Sequence, residues 1–151
     1  RHISFARPLL IDLGGIAKGF AVDVAVQALR RAGCTQGAVN AGGDLRRFGA
    51  QAEPVYLRRG DALVPVAQLR SGAVATSSPN YADVSPTEGA IGHILDPRTG
   101  EHWRGAGSVM VAARTCVLAD ALTKVAALAG PACRSLLERF GAQAYWDGVS
   151  R

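Results

Sequence analysis

The sequence predicts an α+β fold, a mostly antiparallel sheet or sheets with two to three helices packed on one side. Three observations carry that prediction. Short strand-like segments follow one another in the order β-α-β-β-β-β-β-β-β-α-α-β rather than alternating one-to-one with helices. Helical periodicity is confined to a stretch near the start and to the last third. The intervening turns carry Gly, Pro, Asn and Asp, the residues that backbone reversal favours. A chain of 151 residues is one domain by length, residues 1–151, and is large enough to bury a core.

Leu9 to Leu13 reads as a short buried strand. From Ile16 to Ala32, apolar Ile16, Phe20, Val24, Ala28 and Leu29 recur at helical spacing. Gly33, after Arg30-Arg31, supplies a stop with the charge that suits a helix C-terminus. Gly37 to Ala41 is an apolar strand that breaks at Gly42-Gly43. Leu45 to Phe48, Val55 to Arg59 and Leu63 to Leu69 read as an antiparallel meander, the last two joined by Gly60-Asp61. Pro65 marks the final one as an edge strand. Gly72 to Ser77 is a further strand, residues 78–91 a loop, Gly92 to Leu95 a short strand and Ser108 to Ala113 another. Cys116 to Ala129 is the second helix, with Thr115 as N-cap and Gly130-Pro131 as its end. Ala132 to Phe140 is a third helix, and Ala142 to Trp146 the last strand.

Seventeen Lys and Arg against twelve Asp and Glu give a net charge of +5, which suits an anionic partner. The basic residues are scattered, aromatics are few, and no zinc-finger spacing or Arg-rich helix is present, so the sequence gives no reading for nucleic acid. A polyanion-binding structural domain rests on charge alone. Cys34, Cys116 and Cys133 show no Cys-x-x-Cys pairing, and their odd number predicts buried free thiols. Val117 to Gly130, the longest apolar run, is too short to span a bilayer and holds Asp120 and Lys124.

Four glycine-marked polar clusters carry the chemistry. The first is Asp12-Leu-Gly-Gly with Ala17-Lys18-Gly19 and Asp23. There a strand would run through Gly14-Gly15 into a helix N-terminus, whose free N–H groups and partial positive charge, with Lys18, suit a phosphate. The spacing matches neither the dinucleotide fingerprint nor the P-loop, and plain strand–turn–helix packing explains the glycines equally well. The second cluster is Asn40-Ala-Gly-Gly-Asp44, the third Ala75-Thr76-Ser77-Ser78 with His93-Ile-Leu-Asp96-Pro-Arg98-Thr99-Gly100, and the fourth Ala119-Asp120-Ala-Leu-Thr123-Lys124. Each alone is ordinary turn or helix chemistry.

Together and in this order the four clusters resemble the ApbE family, the FAD:protein FMN transferases. The Asp12–Asp23 pattern stands here with Phe20 in place of the family's usual Tyr, and the resemblance covers nearly the whole chain. It implies a T-fold-like domain. It also implies an enzyme that binds FAD as substrate, breaks its pyrophosphate with Mg²⁺ assistance, places FMN on a threonine of an acceptor redox protein, and releases AMP. On this resemblance Ala17 (through its carbonyl), Asp120 and Thr123 serve the metal. Gly15, Lys18, Asp23, Asn40, Gly42, Gly43, Thr76, Ser77 and Asp96 line the FAD pocket. His93 and Asp120 are the catalytic residues, with His93 able to take the acceptor's proton.

Read without the resemblance, His93 is a half-buried strand histidine, Asp96 either fixes a nucleotide hydroxyl or opens the Pro-Arg-Thr-Gly turn, and Asn40 and Asp44 either bind ligand or cap a turn, turn duty suiting Asp44 better. One departure stands out. Most family members have Thr four residues after the helix aspartate, where this chain has Lys124, spaced to pair with Asp120 at i,i+4. Either Thr123 still reaches the metal or the Lys124 ammonium replaces part of its charge. The lysine also suits a flavin-binding module without transferase activity. The resemblance further implies the C-terminal half of a longer, exported, periplasmic protein, held at the membrane by a lipid anchor on the other half.

Overall fold

The computed structural model describes residues 2–59, 61–78, 94–103 and 107–147. Its elements are α1 (Ala17–Arg31), β1 (Gly37–Ala41), β2 (Asp44–Phe48), β3 (Glu53–Arg59), β4 (Ala62–Leu69), β5 (Gly72–Ser77), β6 (Val109–Ala113), α2 (Cys116–Ala129), α3 (Arg134–Arg139) and β7 (Gln143–Trp146). A 3₁₀ turn over Gly130–Cys133 links α2 to α3, so the helix read as Ala132–Phe140 begins as 3₁₀. Gly130, at φ 57°, ends α2 where the Gly-Pro pair places the stop.

Five strands form one antiparallel sheet in the order β1-β2-β5-β6-β7, while β3 and β4 pair only with each other. The continuous meander is thereby corrected. Leu45 pairs with Val74, and β3–β4 is an excursion between two neighbours of the main sheet. Alternation along the strands explains the excursion. Ala73, Ala75, Val109 and Val111 face α1 and α2 in the principal core, whereas Val74 and Met110 point the other way. Val55 and Leu57 of the hairpin cover Val74 and Met110, so the main sheet is buried on both faces. Pro65 sits beside the register shift that follows Val55, a place where a missing N–H is tolerated.

Two expectations about the N-terminal third are also corrected. Residues 9–13 form no strand: Leu10 is 99% exposed, and no described strand pairs with the segment. In α1 the packed face is Gly19, Val22, Asp23 and Val26, while Ile16, Phe20 and Val24 stay exposed. Closeness decides this. A Cβ on Gly19 would stand 2.4 Å from the Cys116 carbonyl oxygen, so only glycine lets α1 lie against α2 here. Of the strand expected over Gly92–Leu95, residues 92 and 93 lie outside the described residues, and Leu95 forms a bridge with His102. Cys116 and Cys133 are buried, but Cys34 is exposed.

Candidate ligand cleft at the paired helix ends

The N-terminal turns of α1 and α2 cap each other. Neither N-cap residue, Ile16 or Thr115, makes a side-chain cap hydrogen bond. Instead Asp120, on α2, accepts the Gly19 N–H of α1 at 3.0 Å. Asp23, on α1, accepts the Cys116 and Val117 N–H groups of α2 at 2.9 and 3.0 Å. Each carboxylate therefore satisfies orphan donors and meets the positive end of the opposite helix. Each also holds a cation: Arg46 Nη1 lies 2.6 Å from Asp23, and the Lys124 ammonium bonds Asp120 one turn along α2.

Above the Asp120 end lies a cleft of about 510 Å³, lined by Asp12, Gly14, Gly15, Lys18, Thr76, Ser77, Ser78, Ile94, Leu95, Lys124 and Leu128. Its rim at α1 is a tight turn. Asp12 Oδ1 accepts the Gly14 N–H at 2.5 Å, and the Leu13 carbonyl accepts those of Ile16 and Ala17 at 3.0 and 2.8 Å. The Lys124 stem passes beside Gly15, whose added Cβ would meet Cε at 3.4 Å. On the sheet side, Ser77 Oγ and Thr123 Oγ1 share a hydrogen bond of 2.7 Å, and Thr123 also donates to the Asp120 carbonyl at 2.7 Å.

Charges alternate across the floor. Lys18 Nζ lies 3.1 Å from Asp44 Oδ2, an ion pair, with Asp44 buried on β2. Burial, and then the nearby Asp120 charge, push the Asp44 carboxyl above its ordinary value, while Lys18 and Lys124 pull it back. Two ammonium groups thus face two carboxylates around a helix N-terminus. A phosphate or diphosphate entering the cleft meets both cations and the Gly14–Gly15 backbone.

The sequence model of the ApbE family matches residues 3–146. The chain belongs to the ApbE family. It is 34% identical over 126 residues to an FAD:protein FMN transferase of Rhodobacter capsulatus, which covers 80% of this chain and 24% of that protein. The crystal structure of the ApbE protein from Thermotoga maritima superposes with a TM-score of 0.73 at 39% identity, covering 89% of this chain and 47% of that one. The flavin transferase ApbE from Vibrio cholerae gives a TM-score of 0.71 at 23% identity, over 93% of this chain and 47% of that one, a likeness of fold alone. The chain spans about a quarter of the curated relative's length and about half of each of these two structures.

This ApbE domain brings part of the predicted site together. Gly15, Lys18, Thr76 and Ser77 line the cleft, with Asp120 and Thr123 buried beneath it. Ala17 opens α1 at its rim. Asn40 and Gly43 line a second cleft of about 410 Å³ beneath the β3–β4 hairpin, which Thr76 also reaches. There Asn40 Oδ1 accepts the Gly43 N–H at 3.0 Å and closes the turn through Gly42, so the turn duty read for Asp44 belongs to Asn40. Asp23 lines neither cleft, its carboxylate being used by α2 and Arg46.

Asp96 also lies outside both clefts. It accepts from the Arg98 backbone and guanidinium, which hold its carboxyl down at about 2, and the turn reading describes it. His93 lies outside the described residues. Asp44 lines neither cleft but is the buried partner of Lys18, a pairing that the clusters read separately do not give. Its signal was alternation, since Asp44, Arg46 and Phe48 share the β2 face that meets α1.

The expected metal ligands do not fit a divalent cation as they stand. One Asp120 oxygen holds the Lys124 ammonium and the other the Gly19 N–H, while the Thr123 hydroxyl is spent on Ser77 and the Asp120 carbonyl. Among the described residues no cluster of three His, Cys, Asp or Glu side chains offers another site.

Proposed function

We propose that this chain is the FAD-binding part of a flavin transferase that moves FMN from FAD to a threonine hydroxyl of an acceptor protein. One observation carries the reading: Lys18, Lys124 and the glycine turn at the α1 N-terminus converge on one cleft, as a diphosphate requires. The name of the Rhodobacter relative supports the flavin chemistry.

In the transfer, the acceptor oxygen forms a bond to the FMN phosphorus and the bond to the AMP oxygen breaks. AMP departs with that electron pair, and the hydroxyl proton goes to a base. His93 is the base the family resemblance supplies. Within the described residues, Lys18 and Lys124 offset charge on the diphosphate, and Gly14 and Gly15 let it approach the backbone. Phosphoryl transfer asks mainly for such positioning and charge. Asp120 and Asp44 hold the two ammonium groups in place.

Incubating the protein with FAD and an acceptor containing a Ser/Thr-Gly-Ala-Thr stretch, with and without Mg²⁺, tests this. The expected result is a flavin-fluorescent acceptor band that survives denaturation, together with AMP release. A second reading, an FAD-binding module without transfer, is favoured by Lys124 on the catalytic aspartate. It predicts FAD binding with neither AMP nor a labelled band. Absence of FAD binding contradicts both.

A further inference from the structure

We propose that Lys124 is a built-in cation for the diphosphate, so that this protein binds FAD without a divalent metal. The inference rests on the reading of the cleft as an FAD site and specifies what neutralises the ligand there. Three observations support it. The Lys124 ammonium bonds the Asp120 carboxylate, taking an oxygen the metal would use, and lies 3.0 Å from the Asp120 carbonyl oxygen. The second carboxylate oxygen is committed to the Gly19 N–H, which ties the ammonium to the α1 N-terminus. The lysine stem lies along Gly15, where an added Cβ would touch Cε at 3.4 Å, and Lys124 lines the cleft.

Electrostatics gives the direction. A divalent ion approaching Asp120 must displace an ammonium or sit against it, and like charges at contact repel strongly where water is sparse. Mg²⁺ also needs several oxygen ligands in near-octahedral geometry, and it binds through carboxylates that are free to take it. Before ligand enters, Lys18 and Lys124 are balanced by Asp44 and Asp120. A diphosphate then brings negative charge to two ammonium groups that are already positioned.

The test is titration of FAD into the full chain, followed by flavin fluorescence, once with EDTA and once with excess Mg²⁺. The dissociation constants should agree within about twofold, and Mn²⁺ added with FAD should show no protein-bound electron paramagnetic resonance signal. Lys124→Thr should bind FAD about tenfold more weakly in EDTA, recover in Mg²⁺, and acquire the bound Mn²⁺ signal. FAD binding by the unaltered chain that appears only with Mg²⁺, or a bound Mn²⁺ signal in it, overturns the inference and leaves the FAD site standing. The wild-type measurements decide even if the variant fails to fold. No FAD binding under either condition overturns the site and the inference together.

Discussion

The two ends of the α1–α2 pair use the same device and have different fates. At one end Asp23 accepts two N–H groups of α2 and is neutralised by Arg46. At the other, Asp120 accepts one N–H group of α1 and is neutralised by Lys124. Arg46 emerges from β2 beneath α1 and is largely closed in with its carboxylate, and neither residue lines either of the two clefts described. Lys124 lines the 510 Å³ cleft. Both carboxylates are buried, so such a pair is a packing device where its cation is covered and a ligand site where its cation lines a cleft. Access, rather than residue type, separates the two.

The largest effect should come from breaking the closed end. Asp23→Ala strips two N–H groups of their acceptor and leaves the mostly covered Arg46 without its partner. Loss of about 3–5 kcal/mol is expected in urea unfolding. Gly19→Ala attacks the close approach both ends depend on, because its Cβ would press on the Cys116 carbonyl. A cost of about 1–3 kcal/mol is expected in the same assay.

Substituting the cations sharpens the contrast. Arg46→Met should cost roughly 3 kcal/mol or more. Lys124→Met should cost less, about 1–3 kcal/mol, because the Lys124 side chain is 28% exposed and water can take the place of its ammonium beside the buried Asp120. Equal losses in thermal and urea unfolding would erase the distinction.

A smaller effect belongs to Cys116, the first residue of α2 at the closed end. Burial and then the charges of Asp44, Asp23 and Asp120 push its thiol up to about 12. Because the folded value lies above the ordinary 9.0, ionisation opposes folding. Stability from this group is intact below pH 9 and falls as pH rises toward about 12, a decline that Cys116→Ala should flatten. At pH 8, a maleimide should label exposed Cys34 quickly and Cys116 only on unfolding.

Much of the sheet and both long helices were legible because their signals are local. Cys116–Ala129 announces itself through its periodicity and its Gly-Pro end, and β5 and β6 through alternation. What was not legible depends on distant partners. Residues 9–13 have strand composition, but no described strand pairs with them, and β-propensity cannot supply one. The buried face of α1 was misread because bulk suggested Phe20 and Val24, whereas the absence of a side chain at Gly19 set the contact. In the candidate site, Lys18 and Ser77 were found through motifs. Asp23 was carried into the pocket by its place in a motif, while its geometry serves α2. Asp44, following two glycines, reads as a turn residue more readily than as a ligand contact, and only tertiary packing sets it beside Lys18.

The contrast between the two ends can be read directly by following backbone amide resonances while FAD is added to the labelled chain. The amides of Gly14, Gly15, Lys18 and Gly19 should shift in a saturable manner, and those of Cys116 and Val117 should stay nearly still. Equal shifts at both ends, or shifts confined to the Asn40–Gly43 turn, would contradict a diphosphate site at the open helix end.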